Sequence, residues 1–210
     1  MKIKFFNRKN LKIRLISLLI LIFLFFLLFD AISIHSLKNH SENLIVPLDY
    51  PIMRIVFFGK SEDAGIKTLS AKFSILDFNG SEVSVIERSW KSDALELVFK
   101  KVRFGKKVFY FPQKIYGMNY NSFKNSWKTE NSGINLVPYY LENGQCLLYN
   151  SVTKNDFAKK LYKIADFAFT RISIFSKKYC SQEKIMLTNF NPAQIYNVVI
   201  NGEGELEILE

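Results

Sequence analysis

Thr68–Trp90 reads TLSAKFSILDFNGSEVSVIERSW, two β-prone runs on either side of Asn79-Gly80. Asn-Gly is a strong short turn signal, because both central positions of a type I′ turn need positive φ. Folding the chain there sets Lys72 opposite Glu87 and Phe73 opposite Ile86. An opposite-charge pair beside an apolar pair is what a stable antiparallel ladder favours. The same register faces Asp77 with Glu82, a like-charge contact that a loop wider than two residues would relieve.

Further along, the pattern repeats. Leu95–Phe111, LELVFKKVRFGKKVFYF, turns at Gly105-Lys106 and sets Val102 against Phe109 and Lys101 against Tyr110. Its tip collects Lys100, Lys101, Arg103, Lys106 and Lys107. Such a tip is either an anion-binding finger or an edge strand kept soluble by lysine. Gly117–Gly133 is polar and rich in Asn and Ser, and contains Trp127. Long loops of this kind are often functional, and Trp127 is either a binding anchor or a residue folding the loop onto the core. Ile134–Tyr149 reads as a third hairpin, turning at Asn143-Gly144.

Then the period changes. Phe157, Leu161, Ile164, Ala168, Ile172 and Phe175 recur every three or four residues, which predicts an amphipathic helix of about 25 residues. Thr153 and Asp156 form a capping-box pattern at its start. Strands follow at Lys184–Phe190, Ile195–Ile200 and Glu205–Glu210, and another precedes the first hairpin at Met53–Phe58. The expected fold class is α+β: a mainly antiparallel sheet with one amphipathic helix packed on it, preceded by a single N-terminal transmembrane helix.

That last element is Leu15–Phe29, LISLLILIFLFFLLF, where Ser17 is the one residue that is not strongly apolar. A span needs about 20 residues, so the expected span is 13–34, with a basic tail at 1–12, a polar connector at 35–50 and the outer domain at 51–210. Lys2, Lys4, Arg8, Lys9, Lys12 and Arg14 precede the run, with no acidic residue among them. Positive charge stays in the cytoplasm, so the tail is expected inside and the domain outside, on the cell inner membrane. A cleaved secretory signal has the same outline; here the long, Phe-rich run and the poor match at Ala31-Ile32-Ser33 favour retention. No cysteine directly follows the run, which excludes a lipid-anchored precursor.

The net charge of +10 is concentrated at this end: from Ile45 onward 22 Lys and Arg stand against 17 Asp and Glu. The domain surface is mildly basic, which suits anionic lipid or cell-wall polymer, and nucleic acid is not an expected partner. Cys146 and Cys180 lie on the expected outer side, where two thiols of one domain commonly pair, so a disulfide between them is expected. Neither histidine, His35 or His40, lies in the domain. This excludes Ser-His-Asp and Cys-His hydrolases and most zinc sites there. There is no Gly-rich phosphate loop and no Cys-x-x-Cys pair, so no cofactor or metal is expected. An enzyme would have to use a carboxylate pair or a Ser-Lys dyad.

VSVIERSW (Val83–Trp90) and VFYFPQKIYG (Val108–Gly117) resemble stretches of uncharacterised membrane-anchored or exported proteins of spirochaete type. The resemblance implies a location and no activity. The expected function is a single-pass, membrane-anchored binding or assembly module of the cell envelope, with a protein or cell-wall partner. The alternatives are a membrane-tethered hydrolase and a secreted protein with a cleaved signal.

Overall fold

The computed structural model describes residues 8–46, 48–63, 66–121, 124, 126–129, 133–149, 155–170, 176–189, 191–192 and 194–210. It is an α+β fold. The first helix, α1, runs Arg8–Glu42 without a break, about 52 Å at 1.5 Å per residue. Two antiparallel sheets follow. The first contains β1 (Pro51–Asp63), β2 (Ile66–Leu76), β3 (Glu82–Trp90), β11 (Ile195–Ile200) and β12 (Leu206–Leu209), in the order β12-β11-β1-β2-β3. The second contains β4 (Ala94–Phe104), β5 (Lys107–Asn121), β6 (Ser126–Thr129) and β10 (Cys180–Leu187), in the order β10-β4-β5-β6, with β7 (Ile134–Asn135) also on β5. A short pair, β8 (Leu141–Glu142) and β9 (Gln145–Cys146), leads toward α2 (Asn155–Phe169), and α3 (Ser176–Tyr179) precedes β10.

The expected registers form. Lys72 faces Glu87 and Phe73 faces Ile86, while Val102 faces Phe109 and Lys101 faces Tyr110. The turn at Asn79-Gly80 is not the two-residue I′ type: Gly80 has φ +77°, but Asn79 is not in the positive-φ region. Instead the Asp77 carboxylate accepts from the Asn79 and Ser81 amides, and the ladder shifts so that Glu82 faces Leu76. Glu82 then accepts from Ser74 Oγ at 2.7 Å, and the like-charge contact is avoided. The I′ pattern forms at the other Asn-Gly, where Asn143 and Gly144 have φ +51° and +74° between the pairs Glu142–Gln145 and Leu141–Cys146.

The second sheet is covered on both faces. On adjacent residues of β5, side chains point opposite ways. Tyr110 donates to the Gly204 carbonyl in the β11–β12 turn at 3.1 Å, whereas the Phe111 ring meets Phe169 of α2. A strand buried on both faces has no polar side to show, which explains the run of buried residues Ala94–Phe99. Pro112 sits inside β5, where a proline would cost a ladder bond. A bulge there leaves Gln113 without an opposite residue on β4. The freed carbonyls are both used: Pro112 O accepts from Tyr140 Oη at 2.7 Å, and Gln113 O accepts from the Leu136 amide. Tyr149 completes the clasp, donating to Tyr110 O at 2.6 Å and accepting from the Tyr110 amide. Burial pushes the phenols of Tyr110, Tyr140 and Tyr149 up, so they remain donors at ordinary pH.

Four expectations are corrected. Cys146 and Cys180 are both free. Cys146 is buried on β9 beneath α2, whereas Cys180 starts β10 opposite Val102, so the two thiols occupy different layers. The helix stops at Phe169 rather than near Phe175; Thr153, Ile172 and Phe175 lie outside the described residues. The strand expected at Lys184–Phe190 begins at Cys180 and ends at Leu187. The polar connector is helical as far as Glu42.

Candidate functional site

Helix α1 has two halves with different surroundings. From Leu15 to Phe29 its side chains are exposed on every side apart from a half-buried Leu27; Phe25, for example, is 70 % exposed. Ser17 does not interrupt the apolar surface, because its hydroxyl donates to Arg14 O at 2.9 Å, as serine does inside apolar helices. α1 is long and apolar enough to cross a membrane, a test that an N-terminal signal sequence also passes. From Asp30 onward one face is buried: Asp30, Ile34, Leu37, Ser41 and, just past the helix end, Leu44. Spacings of four, three, four and three make the 3.5-residue seam of a helix lying along a neighbour. That neighbour is α2, running antiparallel, since Ser33 and Leu37 share a groove with Phe167 and Lys163 while His40 is near Asp156.

The end of α1 is held by a residue from far along the chain. Lys107 Nζ donates to the Glu42 carbonyl at 2.7 Å and to the Leu44 carbonyl. A cation there satisfies carbonyls that have no helical partner and complements the helix dipole. Beside it opens an apolar groove of about 320 Å³, lined by Leu44, Ile45, Leu48, Val108 and Ile200, with Lys106 and Glu203 among its polar residues. Ile45 is 67 % exposed. A groove of this size with few polar groups can take an apolar ligand group or side chain. The apolar triplet Leu44-Ile45-Val46 within the polar connector was the signal for it in the sequence.

The five basic residues of the β4–β5 tip do not gather as one site. Lys107 caps α1, and Lys106 lines the apolar groove. Lys101 pairs with Glu183 and lies over the Tyr110 ring, 5.2 Å from its centroid. Arg103 is exposed and shares a shallow notch of about 230 Å³ with Lys101 and Lys178. Lys100 is half-buried near Cys180, whose thiol burial pushes up to about 11. Nor is β4 an edge strand, because β10 pairs with it from Leu95 to Val102.

Trp127 lies on β6 opposite Tyr120, edge to face at 5.2 Å, and both rings are partly exposed. Trp127 is therefore part of a surface aromatic pair and is not folded into the core. Beside the pair, Asp93 ties the sheets together. Its Oδ1 is 3.0 Å from Lys67 Nζ on β2, and its Oδ2 accepts from the Tyr120 amide on β5. Burial works against the Asp93 carboxylate, but the Lys67 hydrogen bond, the Tyr120 amide and the charges of Lys67 and Lys60 outweigh it and hold its pKa below the usual value. Among the described residues no three His, Cys, Asp or Glu side chains converge as a metal site.

No protein-family model, curated protein or solved structure matches the chain.

Proposed function

We propose that the chain is a single-pass, membrane-anchored binding or assembly module of the cell envelope. Its tail is in the cytoplasm and its β-rich domain stands outside the inner membrane. The observation that supports this most is the continuity of α1. Its bare half has the apolar surface of a bilayer span and reaches the required length of about 20 residues only with the turns that flank it, and the same helix passes unbroken into the domain core. Processing near Ser33 would cut the helix inside its buried stripe, between Asp30 and Ile34, and a removable signal has no need of such a stripe. The basic residues before Leu15 support the orientation, and the resemblance to exported proteins of spirochaete type supports the compartment.

The apolar groove at the end of α1 is the proposed contact for a protein or cell-wall partner carrying an apolar group. Because Lys107 and Leu44 belong both to the groove and to the seat of α1, a partner bound there touches the anchor as well as the sheet.

Fractionation tests the reading. The full chain should resist carbonate extraction, start at its own Met1, and expose its domain to protease added outside spheroplasts. A cytoplasm-only reporter fused after Glu210 should be silent. A soluble product starting near Ser33, or an active reporter, would overturn it.

A further inference from the structure

The start of β10 and the end of β4 build a basic notch, and strand periodicity assembles it. In the antiparallel register Ser181 faces Lys101 and Cys180 faces Val102. Residues two apart on a strand share a face, so Lys101, Arg103 and Ser181 lie on one side of the sheet, with Glu183 next along β10. The chain enters β10 directly from α3, which brings Lys178 to the same place. Lys101, Arg103, Lys178 and Ser181 line a notch of about 230 Å³, and Tyr179 and Cys180 complete its wall. No acidic residue is among the described residues that line it. None of them belongs to α1, so the notch stands apart from the membrane reading.

The groups in the notch differ in how far they are committed. Lys101 is fixed: its side chain is 15 % exposed, its ammonium pairs with Glu183, and it lies over the Tyr110 ring. The pairing uses one of its three N–H donors. Arg103 is exposed and has no ion pair or hydrogen bond among the described residues. Lys178 is exposed, and its ammonium lies 5.7 Å from the centroid of the Tyr179 ring. The exposed Ser181 hydroxyl has no hydrogen-bond partner among the described residues. Cys180 adds no negative charge at ordinary pH, because burial pushes its thiol up to about 11. Glu205 acts on Tyr110 through space but does not line the notch. Once Glu183 offsets Lys101, the positive charges of Arg103 and Lys178 remain, among donors that have no acceptor. We propose that the notch binds the terminal phosphate of a phosphomonoester. Such a group carries about −1.5 to −2 charge at neutral pH and offers three acceptor oxygens. The Arg103 fork suits two of those oxygens, and Lys178, Ser181 and the remaining Lys101 hydrogens donate to the rest. A carboxylate has too few oxygens and too little charge for this set, and a phosphodiester leaves one cation unmatched.

Calorimetry on the full chain in a neutral detergent tests the site, with glycerol 3-phosphate and acetate as probes. In a second arm, native mass spectrometry counts the phosphatidic acid that the chain retains from mixed micelles with phosphatidylcholine. Binding of glycerol 3-phosphate supports the site and puts the phosphate on a soluble molecule. Retention of phosphatidic acid without it supports the site and puts the phosphate on a lipid headgroup. In whichever arm binds, Arg103→Gln and Lys178→Gln should each weaken binding about tenfold, the loss of one hydrogen bond to a charged group. Ser181→Ala changes no charge and should weaken it about threefold. Lys91→Gln removes a cation just before β4, at the opposite end of that strand from the notch, and should leave binding unchanged. All four side chains are exposed, so the melting temperatures should stay close to wild type. Acetate should bind about tenfold more weakly than the phosphate probe. No binding in either arm at millimolar probe, a loss at Lys91→Gln equal to that at Arg103→Gln, or acetate binding as tightly as phosphate would overturn the assignment.

Discussion

The two halves of α1 have the same backbone and opposite surroundings. Leu15–Phe29 is apolar all round and touches almost nothing, whereas Asp30–Leu44 is polar on most of its circumference and buries one seam. Burial within the protein therefore falls on the half with fewer apolar residues. A helix that is apolar on every side needs an apolar surround, which the domain supplies only along one stripe. Hydropathy identifies the half that meets solvent or lipid, and spacing identifies the half that meets protein.

Matched substitutions in the two halves give the largest expected contrast. Leu37→Ala should destabilise the domain by about 2–4 kcal/mol, since it empties a buried site beside α2. Leu24→Ala removes the same atoms from the bare half and should change domain stability by less than about 0.5 kcal/mol. Urea melts of the full chain in detergent, followed by tryptophan fluorescence, would measure both. Equal effects would mean that the two halves do not differ as described.

A smaller effect is expected at the far end of the docked half. Lys107→Met removes the donor to the Glu42 and Leu44 carbonyls and should cost about 1–2 kcal/mol. Hydrogen exchange should accelerate at the Leu44 amide, which bonds Ser41 O at 3.1 Å, and stay unchanged between Leu18 and Leu28.

The thiols sharpen the contrast chemically. Cys146, buried beneath α2, should resist alkylation until the domain opens, and Leu37→Ala should speed its modification. Cys180 should react slowly in the folded protein, about tenfold faster for each pH unit until its pKa near 11. Protein prepared without reductant should yield two alkylated thiols after denaturation.

The smallest effect is expected in acid. Lys160 beside Asp156, with His40 and Lys159 nearby, holds the Asp156 carboxyl below its usual pKa. A lowered carboxylate pKa contributes stability above the ordinary value, and that contribution fades as pH falls through the folded value. Asp156 is exposed, so Asp156→Asn should lower the melting temperature only slightly near neutral pH. The difference should vanish below the carboxylate range, and salt should shrink it.

Much of the sheet was legible because turn residues fix register locally. Gly105-Lys106 and Asn79-Gly80 place Lys101 on Tyr110 and Lys72 on Glu87 whichever exact turn forms. The helix core was legible as far as Phe157, Leu161, Ile164 and Ala168, which face inward. The seam on α1 was not, because Lys38, Asn39, His40 and Glu42 dominate the composition around Leu37 and Ser41. The role of Lys107 was not legible either: its acceptors lie more than sixty residues away, and a lysine-rich tip shows no sign that one lysine is committed to a helix end. The bond from Tyr140 to Pro112 O depends on a carbonyl freed by a bulge, which the apolar pattern of β5 does not announce.

The strand order of the first sheet sets a timetable for the growing chain. β1 has β2 on one side and β11 on the other, and Ile55 faces Tyr196. β2 emerges at once, but β11 follows some 140 residues after β1, on the order of ten seconds or more at ordinary synthesis rates. Throughout that interval the far edge of β1 is an unpaired template for any neighbouring strand. A ribosome that stops before Ile195 would leave a nascent chain whose hairpins have formed and whose first sheet still lacks the strand that closes β1.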